Sequence, residues 1–140
     1  MSLSRRNICA LLPVLLGTAA LGSDKPIESF VAPFDTLPVH PNGANSSRPI
    51  LDGMTHAGAH LEVHESVLAP GSSPHPPHHH VHEELFLIST GTLAITINGN
   101  TQTAGPGSAA FIHSGEQHGI VNTGSVPAQY FVVAIGEEKA

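Results

Sequence analysis

The chain is poor in the residues that make covalent cross-links and basic surfaces. Its single cysteine, Cys9, excludes a disulfide framework within the chain. Five lysines and arginines stand against eleven aspartates and glutamates. No basic patch can be assembled from so few, which excludes a nucleic-acid partner. Only 11% of the 140 residues are charged, while fourteen glycines and twelve prolines punctuate the chain. No window sustains the period of about 3.6 residues that an amphipathic helix requires, so a helical or α/β fold is excluded. The apolar run from Ile8 to Ala20 has thirteen residues. That is too short to cross a bilayer comfortably, and no permanent membrane anchor is expected.

Residues 1–22 read instead as a signal peptide. Arg5 and Arg6 precede the apolar run, and the small residues of "TAA" and "ALG" offer cleavage sites after it. "SRRNICALL" resembles the twin-arginine export signal; the alternative is an ordinary secretory signal that carries two arginines. Cleavage near Ser23 removes Cys9 and both arginines, leaving three basic residues against eleven acidic ones, a formal charge of −8. An acidic, cysteine-free mature chain suits a bacterial periplasmic or secreted protein.

Residues 23–55 are dense in Pro, Asn, Ser and Gly and are expected to form an irregular N-terminal arm, with one short strand around Phe30 to Phe34. Its apolar residues, among them Phe30, Phe34 and Leu51, argue against full disorder. The arm could drape over its own domain or serve a partner in a homodimer. From residue 56 to residue 140 short strand patterns alternate with turns. Leu61 to Leu68, Glu84 to Ser89, and Thr92 to Asn98 are the first three, and Asn98-Gly99 is a hairpin turn signal. "TQTA", "AAFIH", "HGIVNT" and "AQYFVVAIG" follow. Seven or more short strands at even spacing predict a single all-β domain, a sandwich or a barrel.

The chemistry is concentrated in "PHPPHHHVHEELFLISTG", Pro74 to Gly91. Disordered histidine-rich tracts bind metal loosely, but this tract leads directly into a strand. His78 and His80 share one face of an extended chain and His79 points away. A turn over Val81-His82-Glu83 then brings Glu84 within reach of the same point. His118 opens a later strand after the turn at Ser114-Gly115. Three neutral nitrogens and one carboxylate leave open positions on a divalent transition metal, as metal catalysis requires. His79, His82 and His75 are read as turn or loop residues, with His79 and His82 facing solvent, and Glu83 as the outward member of its pair. His56, His60 and His64 recur every four residues, but their surroundings have β-type content. On a strand His60 and His64 share a face, which makes His64 a candidate pocket residue. Phe86 and Ile88 share the face of Glu84 by period two and are expected to line the pocket with it.

These two segments resemble the two motifs of the cupin superfamily. His78-His79-His80, three residues, Glu84, six residues and Gly91 fit the first motif, with its leading glycine one residue out of register at Gly71. Gly107, five residues, His113-Ser114-Gly115, two residues, His118, three residues and Asn122 fit the second, with His113 where the family usually has proline. The resemblance extends from about Leu61 to Gly136. It implies a double-stranded β-helix, or jelly-roll barrel, and metal ligation by His78, His80, Glu84 and His118.

The superfamily hosts dioxygenases, decarboxylases, isomerases, storage proteins and regulators, so the fold does not assign the function. An intact ligand set disfavours storage, and the export signal disfavours transcriptional regulation. Two readings remain. One is a metal-dependent, dioxygenase-like enzyme acting on a small molecule, with Glu84 as metal ligand and catalytic proton acceptor. The other is a periplasmic protein that binds a small molecule or metal without turnover. One divalent ion per chain is expected. Manganese or iron is favoured over nickel, copper or zinc, because export of a folded protein would let the site load in the cytoplasm.

Overall fold

A computed structural model describes residues 25–136; the expected signal peptide lies outside the described residues. Nine strands follow one another: β1 (His40–Asn42), β2 (Asn45–Met54), β3 (His60–Leu68), β4 (Glu83–Thr90), β5 (Leu93–Ile97), β6 (Asn100–Ala104), β7 (Ala109–Ile112), β8 (His118–Asn122) and β9 (Ala128–Ile135). Among the described residues the only helical element is a single 3₁₀ turn, Phe34–Thr36. The all-β expectation holds. The strands form a six-stranded sheet in the order β1-β2-β3-β9-β4-β7 and a three-stranded sheet in the order β6-β5-β8. All pairs are antiparallel.

Period-two alternation decides which side chains face inward. In β9, Ala128, Tyr130, Val132 and Ala134 are buried while the residues between them are not. Leu93 and Ile95 of β5 and Ile120 of β8 come from the smaller sheet, and Leu68, Phe86, Ile88, Ile112 and the β9 residues from the larger. Both sheets therefore close on one apolar core, as in the expected jelly-roll barrel. Gly91 shows how tightly the chain turns into this core. Its φ is +80°, and a Cβ there would lie 2.6 Å from the Ala128 Cα, a contact no other residue avoids.

The structure corrects the reading of the N-terminal arm. Residues 25–39 do drape as expected, and the Ile27 amide donates to the Met54 carbonyl at 2.8 Å. No strand forms around Phe30 to Phe34, however, and residues 40–54 are not irregular. They make a hairpin whose long strand pairs with β3 from Ser46↔Val67 to Met54↔His60. The strand exists because β3 offers it a ladder of partners, and not through its own β-propensity, which is why composition concealed it. Pro49 cannot donate to that ladder, and the register shifts beside it between Pro49 and Leu51.

On the outer face of the larger sheet Glu65 is fully buried. Arg48 Nη1 donates to its Oε2 at 3.2 Å and Gln129 Nε2 to its Oε1 at 2.8 Å. The Arg48 guanidinium also lies 4.5 Å from the centre of the Phe34 ring, which ties the arm to the sheet.

Candidate metal centre

Two main-chain links bring the two motifs together. His78 and His118 exchange backbone hydrogen bonds, at 3.0 Å from the His78 amide and 2.8 Å from the His118 amide, and the Gly115 amide donates to the His80 carbonyl at 2.8 Å. Gly119 leaves room for this approach, since a Cβ there would stand 3.0 Å from the Pro77 ring. Asn122 closes the second motif: fully buried, it donates to the Leu68 and Val126 carbonyls at 2.8 Å each and accepts from the Gly124 amide at 2.9 Å. The segment between β3 and His78 is held in turn by Asn45, which accepts from the Ala69 amide and donates to the Ser73 carbonyl, both at 3.0 Å.

The rings of His78, His80 and His118 meet at the mouth of the barrel, with centroids 4.8 to 5.2 Å apart. Glu84 Oε2 lies 3.2 Å from His118 Nε2, and Oε1 lies 3.3 Å from His80 Nε2. Neither contact has hydrogen-bonding alignment. Those two nitrogens and His78 Nδ1 are buried with no hydrogen-bond partner. Buried polar atoms without partners cost about 1–3 kcal/mol each, and three that converge on one point are relieved together by a cation. His80 Nδ1 faces the His82 carbonyl at 2.8 Å, and His118 Nδ1 faces the Glu116 carbonyl at 2.9 Å. A carbonyl only accepts, so each Nδ1 carries the proton and each Nε2 presents its lone pair, the tautomer a metal needs.

The size also suits. Two ligands on an ion at about 2.1 Å can be no more than about 4.2 Å apart, and the ligand atoms of His78, His80 and His118 lie within 4.8 Å of one another. A small contraction closes the set around an ion. The pKa of His78 is held below the usual 6.5, first by burial and then by its neighbours His75, His118 and His80, while Glu84 opposes the shift. Its ring therefore stays neutral where a protonated one could not ligate.

The structure brings all four expected ligands together, and it moves other residues. His82 does not face solvent: its ring stacks on His80 with centroids 3.6 Å apart, and its Nε2 stands 3.4 Å from Glu84 Oε1. His80, His82 and Glu84 thus form a second overlapping group of ligand atoms. The bend at Val81 and His82 turns the His82 ring onto His80 and not outward. His75 meets His78 edge-on at 4.1 Å. His79 is exposed and approaches Gln117, and Glu83 is exposed as expected.

Behind the ligands lies a cavity of about 230 Å³ lined by Glu84 and His118 on one side. Phe86, Leu68, Ile120 and Val132 are among its apolar lining, and Asn45, Ser46, Ser47, His64, Ser66 and Tyr130 among its polar lining. His64 and Phe86 stand where expected, with His64 Nδ1 held by Glu62 at 2.7 Å. Ile88 is a correction. It shares the inward face and packs in the same core as Phe86, but it does not line the cavity. Tyr130 was missed, although the alternation of "AQYFVVAI" already puts it on the inward face with Val132. Burial pushes its phenol up to about 12; a hydrogen bond with Ser66 opposes the shift and the Glu84 charge adds to it.

A family model for the cupin domain matches residues 64–134. Comparison with curated protein sequences gives no match. Among solved structures the chain is similar to the polyketide cyclase RemF from Streptomyces resistomycificus, at 24% identity and a TM-score of 0.68 over 81% of this chain and 83% of that one. It is also similar to a predicted oxalate decarboxylase from Thermotoga maritima, at 23% identity and a TM-score of 0.68 over 77% of this chain and 100% of that one. An RmlC-like cupin from Shewanella frigidimarina aligns at 14% identity and a TM-score of 0.66, over 79% of this chain and 93% of that one. At such identities these likenesses speak to fold alone.

Proposed function

The chain belongs to the cupin family, and we propose that it is an exported, metal-dependent enzyme of dioxygenase type acting on a small molecule. The observation that supports this reading is the convergence of three unpartnered imidazole nitrogens beside Glu84, at the wall of a cavity large enough for a small substrate. A storage or structural role needs neither the ligand set nor the cavity. The similar folds include proteins described as a polyketide cyclase and as a predicted oxalate decarboxylase, so the scaffold is one on which enzymes are built.

A divalent manganese or iron ion held by His78, His80, Glu84 and His118 would supply Lewis acidity, redox capacity and open coordination positions. The chain's own residues do the rest. Glu84 offsets part of the ion's charge and can accept a proton at Oε1, from which His82 Nε2 is 3.4 Å away. Leu68, Phe86, Ile120 and Val132 offer an apolar surface to one side of a bound molecule. The export assignment rests on Arg5-Arg6 and the apolar run after them.

The test is oxygen consumption by the purified, metal-loaded protein on a panel of small phenolic and dicarbonyl compounds, beside Glu84→Gln at matched metal occupancy. The amide keeps size and a carbonyl ligand but removes the base. Turnover is expected to fall by about 100-fold or more, within the usual range for a general base. No oxygen consumption by the wild-type protein on any compound would sink the oxygenase reading and favour binding without turnover.

A further inference from the structure

A row of acidic side chains leads from the edge of the larger sheet toward the ligand cluster. Asp52 of β2 stands opposite Glu62 of β3, Glu62 opposite Ala134 of β9, and Ala134 opposite Glu84 of β4. Directly opposed residues share a face of the sheet. Three carboxylates therefore line up on the inward face, with one methyl group between the last two. Side-chain exposure falls along the row, from 68% at Asp52 to 31% at Glu62 and 12% at Glu84. Like charges directly opposite one another destabilise a sheet, so packing gives no reason for the pair at Asp52 and Glu62.

Each carboxylate also has an imidazole beside it. His60 Nε2 lies 2.9 Å from Asp52 Oδ1, His64 Nδ1 2.7 Å from Glu62 Oε1, and His82 Nε2 3.4 Å from Glu84 Oε1. Asp52, His60, Glu62, His64 and His82 line a second cavity, of about 210 Å³. The cationic side chains among the described residues, Lys25 and Arg48, are not in its lining.

The inner end of the row is where a cation is wanted. The ligand atoms of His80, His82 and Glu84 form one compact group. Beside it lie the buried, unpartnered nitrogens of His78, His80 and His118, and His118 is only 3% exposed. The rings of His80 and His82 are stacked within 10° of parallel. Lone pairs in the planes of two parallel rings do not converge, so His82 addresses a position next to the resident one and not the same ion.

We propose that this row is the path by which a divalent cation reaches the centre, with His82 and Glu84 Oε1 as its last stop. The proposal rests on the metal-centre reading and adds the direction from which the ion arrives. Carboxylates concentrate a cation from solvent, and imidazole nitrogen with carboxylate oxygen suits a divalent transition metal at each step.

The experiment mixes metal-free protein with zinc by stopped flow at low salt and follows the free ion with a chromophoric indicator; bound zinc is counted at the end. Asp52→Asn with Glu62→Gln is expected to slow uptake about 10-fold or more, the lower end of what electrostatic steering contributes. A control pair, Glu28→Gln with Asp35→Asn, removes the same charge from exposed positions outside the row and should leave the rate near that of the wild type. Added salt should shrink the difference. His82→Ala should slow uptake, and release to a chelator, severalfold and by one factor, with one ion per chain still bound, since a stop on a path changes rates and not the end state. Equal slowing by the control pair, or uptake indifferent to the row and to His82, would overturn the path and leave the metal centre standing. Loss of the bound ion in His82→Ala would make that residue a ligand of the resident ion and overturn its place on the path. A wild-type protein that takes up no zinc would overturn the metal-centre reading itself, and the path with it.

Discussion

Replacing His80 or His118 by alanine removes the Nε2 that no hydrogen bond uses together with the Nδ1–H that a backbone carbonyl accepts, so metal content should fall and some stability should be lost with it. Elemental analysis is expected to show about one divalent ion per chain in the wild type and a sharp fall in either variant. His79→Ala, at an exposed position, should leave occupancy unchanged. Retained metal in both ligand variants would assign binding to the histidine tract at large. Acid acts on another member of the cluster, His78. The folded-state pKa of His78 is lowered, so the unfolded chain binds its proton first as pH falls through 6.5. Stability of the metal-free protein, fully present above that value, is therefore lost as pH drops toward the depressed folded value. Urea midpoints of metal-free protein measured at about pH 7.5 and about pH 5.5, on either side of the ordinary histidine value, should show the decline. At this scale the candidate ligand positions were legible because spacing put His78, His80 and Glu84 within reach of one point, while His118 joined them through the resemblance to the second cupin motif. The place of His82 was not legible. Its stacking on His80 depends on the exact path of a two-residue bend, which no periodicity encodes.

At the scale of single elements the turn at Gly91 is the most exacting. Gly91→Ala would force a Cβ to 2.6 Å from the Ala128 backbone at a φ of +80°. The left-handed conformation alone costs a residue with a side chain about 1–2 kcal/mol, and the clash adds to it. A thermal melt should show a large loss, whereas Gly99→Ala, at a turn with open space, should lose only the conformational part. The pairing of β2 with β3 offers a second test. Arg48→Met leaves the carboxylate of Glu65 fully buried with Gln129 as its remaining partner. Removing one member of a buried ion pair typically costs 3–5 kcal/mol; because Arg48 is 22% exposed, a loss of about 3 kcal/mol or somewhat less is expected from denaturant unfolding. Strands β3 to β9 were legible because short apolar or alternating runs are separated by turn residues. Strands β1 and β2 were not, because serines, asparagines and a proline become a strand only when a neighbouring ladder recruits them.

For the whole molecule, the decisive fact is that the ligand set does not exist in the unfolded chain. His78 and His118 are forty residues apart in sequence and meet through a β-bridge, while Glu84 enters from β4 and the barrel core holds all three in place. Metal selection is then tied to where folding happens. Affinity of nitrogen and oxygen sites rises from manganese and iron toward copper, so a barrel that folds after export would take whichever ion binds tightest there. A barrel that folds in the cytoplasm and crosses the membrane intact carries the ion it met first. The pair Arg5-Arg6 is the sequence feature that separates these histories. Replacing both by lysine should leave unprocessed, folded precursor in the cytoplasm, visible by fractionation, and that precursor should already contain manganese or iron. Normal processing of the double variant would overturn the folded-export reading. Copper or zinc in the exported wild-type protein would then be the expected finding.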